Sequence, residues 1–443
     1  MAALDIQTPF GDRFRDRRGT LPGAGLAWVD ALRDEGIAAF EAAGFPDRKV
    51  EAWKYTDLRK LAKLDFAPAP LVVDGLSARL AREVEAVGGD AHLAVFANGR
   101  FRADLSRLDR LPQGVRVASL AELLRADDPL LADRLGRVAP VEKRPFLDLN
   151  AALMEDGFVI HLPKGAEVEA PIRVLFLTEG QSEPMALHPR NVIVAEEGAR
   201  ATVVEVHVGT DDAPYFSNGA SEIDVAATAV LHHYKLQREG ASAFHLANIQ
   251  LRLDRDATYD SFILSTGAEL ARNEIYAKLA GSGTECRLSG AYLGRGSQHL
   301  DTTTLIDHAV PDCISREVYK GVLDDAAHGV FQGKIIVRPD AQRTDGYQLN
   351  RALLLSRKAE INSKPELEIY ADDVKCSHGA TVGEIDKEAL FYLRSRGIPE
   401  WEARTLLVEA FVQDALEEIR VDEVREEFSG LIRDWMAGVE DLG

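Results

Sequence analysis

Cysteine is scarce: Cys286, Cys313 and Cys376 are the three in 443 residues, and no CxxC pair occurs. A sparse, odd set of this kind excludes a disulfide framework and a self-contained zinc or cluster site built on cysteine pairs. Long apolar runs are missing too. No stretch approaches the roughly 18 apolar residues that a membrane span needs. The N-terminal MAALDIQTPFGDRFRDRRG has no apolar signal-peptide core. The expected address is therefore cytoplasmic and reducing. Positive charge is in deficit, with 52 Lys and Arg against 72 Asp and Glu for a net charge of −20. That balance opposes binding to nucleic acid or to an acidic membrane surface. GxxxxGKS/T, HExxH and GxSxG are all absent, so no direct ATP binding through a P-loop, no zincin chemistry and no serine elbow are expected.

What is present divides the chain in three: a helical and mixed region over 1–150, a β-rich core over 151–376, and a helical C-terminal region over 377–443. AWVDALRDEGIAAFEAAG (27–44) has helical spacing and stops at Gly44-Phe45-Pro46. KVEAWKYTDLRKLAKLDF follows as a second amphipathic stretch with Trp53, Tyr55 and Leu58, and APAP (67–70) reads as a stiff linker. LAVFANGRFRADL predicts a hairpin turning at Asn98-Gly99, and Ser119 with Glu122 predicts a capped helix start.

From about residue 157 the texture changes to short, β-branched, often alternating stretches such as IRVLFLT, ATVVEVHVG and HLANIQLRL. No helical pattern interrupts them for roughly two hundred residues, which argues against βαβ crossovers. Similar turns recur at Gly165, Gly198, Ala226, Asp256 and Gly283, separated by 33, 28, 30 and 27 residues. A turn-plus-strand unit repeating at about thirty residues favours a parallel β-helix over a sandwich. In the C-terminal region, KEALFYLRSRG ends at Gly397 and Pro399 opens another helix. Ala403, Leu406, Leu407, Ala410 and Phe411 are expected to form its buried face, and Val424, Phe428, Leu431, Ile432 and Trp435 that of a final helix. From Glu384 onward there are 16 acidic and 7 basic residues, net −9. Such a segment reads either as a solvated surface or as an acidic module that docks on a basic groove.

One short stretch carries a candidate site. In ADDVKCSHGATVG (371–383), Cys376 and His378 sit two residues apart. On an extended strand they project from one face, about 6–7 Å apart. They could be half of a metal site for iron or zinc, a thiolate with its base, or simple packing at a strand end. The neighbours His232 and His233 point to opposite faces of a strand and cannot chelate one ion together.

GVFQGKIIVRPDAQRTDGYQLNRALLLSRKAEINSKPELEIYADDVKCSHGATVGEIDKEALFYLRSRGI (329–398) closely resembles the C-terminal half of the SufB/SufD family of the SUF iron–sulfur assembly system. EAWKYTDLRKL (51–61) and FLDLNAALMEDGFVIHLPKG (146–165) resemble it as well. CSHGATVG following LEIYADDV is similar to the family's SufD branch, whereas the SufB branch carries a glutamate-containing stretch there and additional cysteines. The resemblance implies a right-handed parallel β-helix core flanked by N-terminal and C-terminal helical regions. It implies pairing with SufB through the β-helix core and binding of the ATPase SufC by the C-terminal helical domain. The chain itself would be non-catalytic. It would hold no cofactor when isolated, and an iron ion or a transient Fe–S cluster in the complex. It also implies that Cys376 and His378 are candidate ligands at a site shared across the interface. His378 is the better candidate, and Cys376 either binds iron or shapes the interface.

Three other readings compete with this one. A purely architectural subunit would contribute no ligand. A stand-alone metal or redox protein would use Cys376 and His378 by itself. A β-helix polysaccharide enzyme would need acidic clusters, for which Asp254 and Asp256 are the nearest material. A homodimer of the isolated chain also fits, because a surface built for a paralogue is nearly self-complementary. Cys286 and Cys313 are expected to be buried small hydrophobes.

Overall fold

The computed structural model describes residues 9–70, 75–138, 144–210 and 213–438. Its centre is a parallel β-helix of about seven turns. Each turn gives one strand to an eleven-stranded sheet and the next to a ten-stranded sheet, so that neighbours within a sheet are alternate strands in sequence. Strand Thr258–Ser265, for example, pairs in parallel with Val230–Arg238 on one side and Glu285–Gly294 on the other.

The corners explain the thirty-residue recurrence. Gly165, Gly198, Thr228, Asp256, Gly283, Asp312 and Arg343 all adopt positive φ, between 50° and 80°. Consecutive corners are linked by backbone hydrogen bonds such as Gly198 N–H to Ala227 O (3.0 Å) and Asp256 N–H to Ser282 O (2.8 Å). This corner takes a left-handed residue in each turn, and five of the seven are Gly or Asp, which tolerate it best. Between corners, alternation buries one set of side chains inside the coil, among them Val203, Leu231, Tyr259 and Leu288 facing Ile249, Leu251 and Ile275. Each such Val, Leu or Ile contributes about 1.5–3 kcal/mol by leaving water.

Both outer faces are covered. Phe10, Phe40, Trp53 and Phe146 of the N-terminal region pack on Phe216, Phe244, Leu246 and Leu270 of the larger sheet. Arg272, fully buried, lies over the Trp53 ring at 4.0 Å and pairs with Glu274 at 2.6 Å. On the smaller sheet, helices Glu400–Leu416 and Asp422–Ala437 set Val408, Val412, Phe428 and Ile432 against Tyr234, Phe262, Leu264 and Leu293. Lys320 Nζ to Asp414 (2.8 Å) and the Arg295 guanidinium over Trp435 (4.2 Å) clamp these helices down.

Several local expectations hold. The helix Ala27–Ala43 stops at Gly44 with φ 63°, and Asn98 and Gly99 make the hairpin turn. Ser119 Oγ accepts from Glu122 N–H at the start of Leu120–Arg125. Others change. Residues 51–62 form a short 3-10 turn (Glu51–Trp53) and a one-turn helix (Arg59–Ala62) rather than one amphipathic helix. Of the expected linker, Ala67–Pro68 is a two-residue strand paired with Met185–Ala186, at a place where no further strand needs the missing proline N–H. Helix Glu400–Leu416 buries Ala403, Val408, Val412, Ala415 and Leu416, leaving Leu406 42% exposed. Apolar residues are scattered around that helix between Glu402, Arg404, Glu409 and Asp414, so the sheet it meets, and not its periodicity, decides which stripe is inside.

Candidate functional site

The last turn of the β-helix consists of Glu360–Ile369 and Val374–Glu384, the terminal strands of the two sheets. Cys376 and His378 both lie on Val374–Glu384, in register with Gly346 and Gln348 of Thr344–Leu354. The register is unbroken along both strands, so alternation puts Val374, Cys376 and His378 on the inward face. Val374 and Cys376 pack against the inner core. The Cys376 thiol lies over the bare inner face of Gly346, where an added Cβ would stand 3.4 Å from Sγ. Leu349 meets the opposite face, at Gly379.

The two candidate residues differ in exposure. Cys376 is half-buried and His378 is exposed. Burial pushes the Cys376 thiol above its usual value; the Gly346 backbone opposes this and the Asp345 charge adds to it. The group is therefore a protonated thiol at neutral pH, which disfavours the nucleophile reading. On the outer side, Arg316, Asp345, Tyr347, Lys375 and Ser377 line a shallow groove bordering Cys376, with Arg316 Nη2 donating to Asp345 Oδ2 at 2.9 Å. Among the described residues no three His, Cys, Asp or Glu side chains converge to hold a metal ion. The chain thus offers at most two donors at this end, and a metal or cluster held there would need more from elsewhere.

The remaining sequence candidates are placed differently. Cys286 and Cys313 are fully buried thiols. His233 points inward and contacts Glu205 Oε1 at 2.8 Å, while its neighbour His232 lies outside near Asp260. Asp254 and Asp256 contact Arg252 and Arg255 rather than one another. No helix among the described residues is long and apolar enough to cross a membrane.

Sequence reading missed the polar interior. Glu205 contacts His207 and His233 (3.1 and 2.8 Å), Lys235 Nζ donates to His245 Nε2 (2.8 Å) and to Asn273 Oδ1 (3.0 Å), and His245 Nδ1 lies 2.6 Å from Glu239. Because Lys235 can only donate, His245 Nε2 accepts and Nδ1 carries the proton toward Glu239. Burial alone would raise the Glu239 carboxyl. The proximity of His245 and the Gln237 hydrogen bond overcome it and hold the group down at about 2, whereas burial pushes His245 down to about 4. A second buried group, Glu317, receives the Gln348 Nε2 hydrogen bond at 2.7 Å. Its carboxyl is nevertheless pushed up to about 7 by burial. The signal was the inward register itself, with Ala201, Val203, Glu205 and His207 on one face of GARATVVEVHVG, and Ser315, Glu317 and Tyr319 on another.

Comparison with known proteins gives the same picture along most of the chain. Residues 4–174 match the SufBD protein N-terminal region, and residues 176–411 match the SufBD core domain of SUF system FeS cluster assembly. The chain is 34% identical over 386 residues to the iron–sulfur cluster assembly protein SufD of Escherichia coli, covering 87% of this chain and 88% of that protein. It is 34% identical over 382 residues to an iron–sulfur cluster assembly SufBD family protein of Synechocystis, covering 84% of each. With SufD of Bacillus subtilis the identity is 27% over 417 residues, covering 92% and 93%. A parallel β-helix with helices on both outer faces, matched over most of its length by these relatives, belongs to the SufBD family of iron–sulfur cluster assembly proteins, on its SufD-like side.

Proposed function

We propose that this chain is the SufD-type subunit of a cytoplasmic complex with SufB and the ATPase SufC, that it performs no catalysis itself, and that Cys376 and His378 contribute to a site completed by SufB. Iron or a nascent cluster is the cargo of that site. The observation that carries this reading is the open last turn. Its strands end both sheets, their outer edges have no strand partner among the described residues, and His378 stands exposed on them beside Cys376. An unpaired edge of this kind is a ready template for another chain. Tyr370, Ile369 and Val382 add exposed apolar surface on the same turn.

SufC would dock on the C-terminal helices. Lys387–Ser395 buries none of its residues, and Phe391 and Trp401 are 74% and 65% exposed. Apolar side chains this exposed among acidic residues support a docking role over a solvated helix. For Cys376 a second role has its own support. A protonated, half-buried thiol seated over Gly346 is suited to packing, which leaves His378 as the ligand.

The test is made on the complex co-expressed with SufB and SufC and purified without oxygen. His378→Ala should assemble and hydrolyse ATP as the parent does, yet carry several-fold less iron and acid-labile sulfide. Unchanged cluster content in an intact complex would leave this chain a scaffold only.

A further inference from the structure

Two rungs beneath His378 lies a polar column. Glu317, Gln348 and His378 are successive register partners on three adjacent strands, all inward-facing. Glu317 and Gln348 are completely buried. Gln348 Nε2 donates to Glu317 Oε2 at 2.7 Å, and Gln348 Oε1 is buried with no hydrogen-bond partner. The direction of that amide is forced. Above pH 7, where Glu317 is ionised and can only accept, the Gln348 amide must turn its NH₂ toward Glu317 and its oxygen away. A buried acceptor left empty costs about 1–3 kcal/mol. The next register position outward in the column is His378, on a strand about 4.8 Å away.

The opposite wall of the coil fits this arrangement. Gly333 faces the Gln348 amide, and a Cβ there would stand 2.1 Å from Nε2 and 2.6 Å from Cδ. Only a residue without a side chain leaves the amide its place. The φ of Gly333 is not in the left-handed region, so its value here lies in space and not in backbone freedom.

We infer that Gln348 is a positioning residue for His378: its buried Oε1, unpartnered in the structure, turned away from Glu317 and given room by Gly333, accepts one ring N–H of His378 when the imidazole turns into the column, and so presents the other ring nitrogen, as a lone-pair donor, to the open end. A hydrogen bond to one imidazole nitrogen fixes which nitrogen remains to bind a metal. The inference deepens the proposed ligand role of His378 and rests on it for its consequence, but the ring geometry is testable without it.

The isolated chain, labelled with ¹⁵N-histidine, is measured by NMR at a pH where the ring is neutral, and the His378 signals are assigned with His378→Ala. In the parent, one protonated and one unprotonated ring nitrogen should be resolved. Gln348→Leu should collapse them toward tautomer-averaged positions. Gly333→Ala, which leaves Glu317, Gln348 and His378 in place chemically but displaces the amide, should do the same. The swap Glu317→Gln with Gln348→Glu keeps an outward acceptor and should restore two resolved signals. In the oxygen-free complex with SufB and SufC, Gln348→Leu should lower iron and acid-labile sulfide at least threefold, and the swap should recover most of it. Averaged signals in the parent, or resolved signals unchanged by Gln348→Leu, would overturn the inference. If His378→Ala leaves cluster content intact, the ligand role falls, while the ring signals still decide the part played by Gln348.

Discussion

The two ends of the β-helix are built differently. At its beginning each sheet is closed by an antiparallel strand, Arg116–Ser119 beside Phe158–Leu162 in one and Arg100–Phe101 beside His92–Ala97 in the other. At its end both sheets stop on long parallel strands with exposed outer edges. The interiors differ in their charged groups. In the early turns Glu205, Glu239 and Lys235 each meet opposite or hydrogen-bonding partners. In the last turns Glu317 meets the Gln348 amide, while its Oε1 and Gln348 Oε1 have no partner among the described residues. Unpaired acceptors occur in both parts, Gln237 Oε1 and Asn248 Oδ1 among the early ones, but those of the last turns lie next to an exposed edge.

Breaking the closed part should give the largest effects. Glu205→Ala removes the partner of two buried histidines and should destabilise the fold by about 3–5 kcal/mol in urea unfolding. A loss below 1 kcal/mol would show that the network is incidental. Leu251→Ala, inside the same turns, should lose about 2–5 kcal/mol. Val374→Ala, half-exposed on the last turn, should lose about 1 kcal/mol or less. Equal losses at the two positions would erase the contrast between the ends.

Acid should separate the buried histidines from Glu317 by sign. His245, His299 and His308 are pushed down to about 4 by burial, from an ordinary value of 6.5. Between pH 6.5 and 4 the unfolded chain binds protons that the folded chain refuses. Stability must therefore fall as pH falls through that window, by about 3 kcal/mol or more. Glu239, held at about 2, adds to the loss at lower pH. Glu317 acts in the opposite sense. With its folded value near 7 and an ordinary value of 4.5, it binds its proton more readily when folded, so its cost is fully present above pH 7 and disappears toward 4.5. Glu317→Gln should therefore raise stability by about 1–2 kcal/mol at pH 8 and change it little at pH 4.5. A uniform effect at both pH values would assign the change to packing instead.

The coil was legible in the sequence because its corners demand a left-handed residue at nearly regular intervals, and Gly198, Asp256 and Gly283 announce them. The site was legible as a pair, Cys376 and His378, because strand alternation fixes which residues share a face. What lay hidden depends on closure. That Glu317 and Gln348 meet inside the coil follows from a register between strands thirty residues apart, and that Gly333 makes room for them follows from the facing sheet. The buried stripe of Glu400–Leu416 was misread for the same reason, since a helix with apolar residues scattered around it carries no preferred face until a sheet selects one.

The central claim is that the open last turn, and not the closed first turns, is the face that meets SufB. Amide hydrogen exchange of this chain alone and in complex with SufB tests it most directly. The account predicts strong new protection across 360–369 and 374–384, with 92–119 unchanged. Protection confined to 92–119, with the last turn exchanging as freely as before, would contradict it.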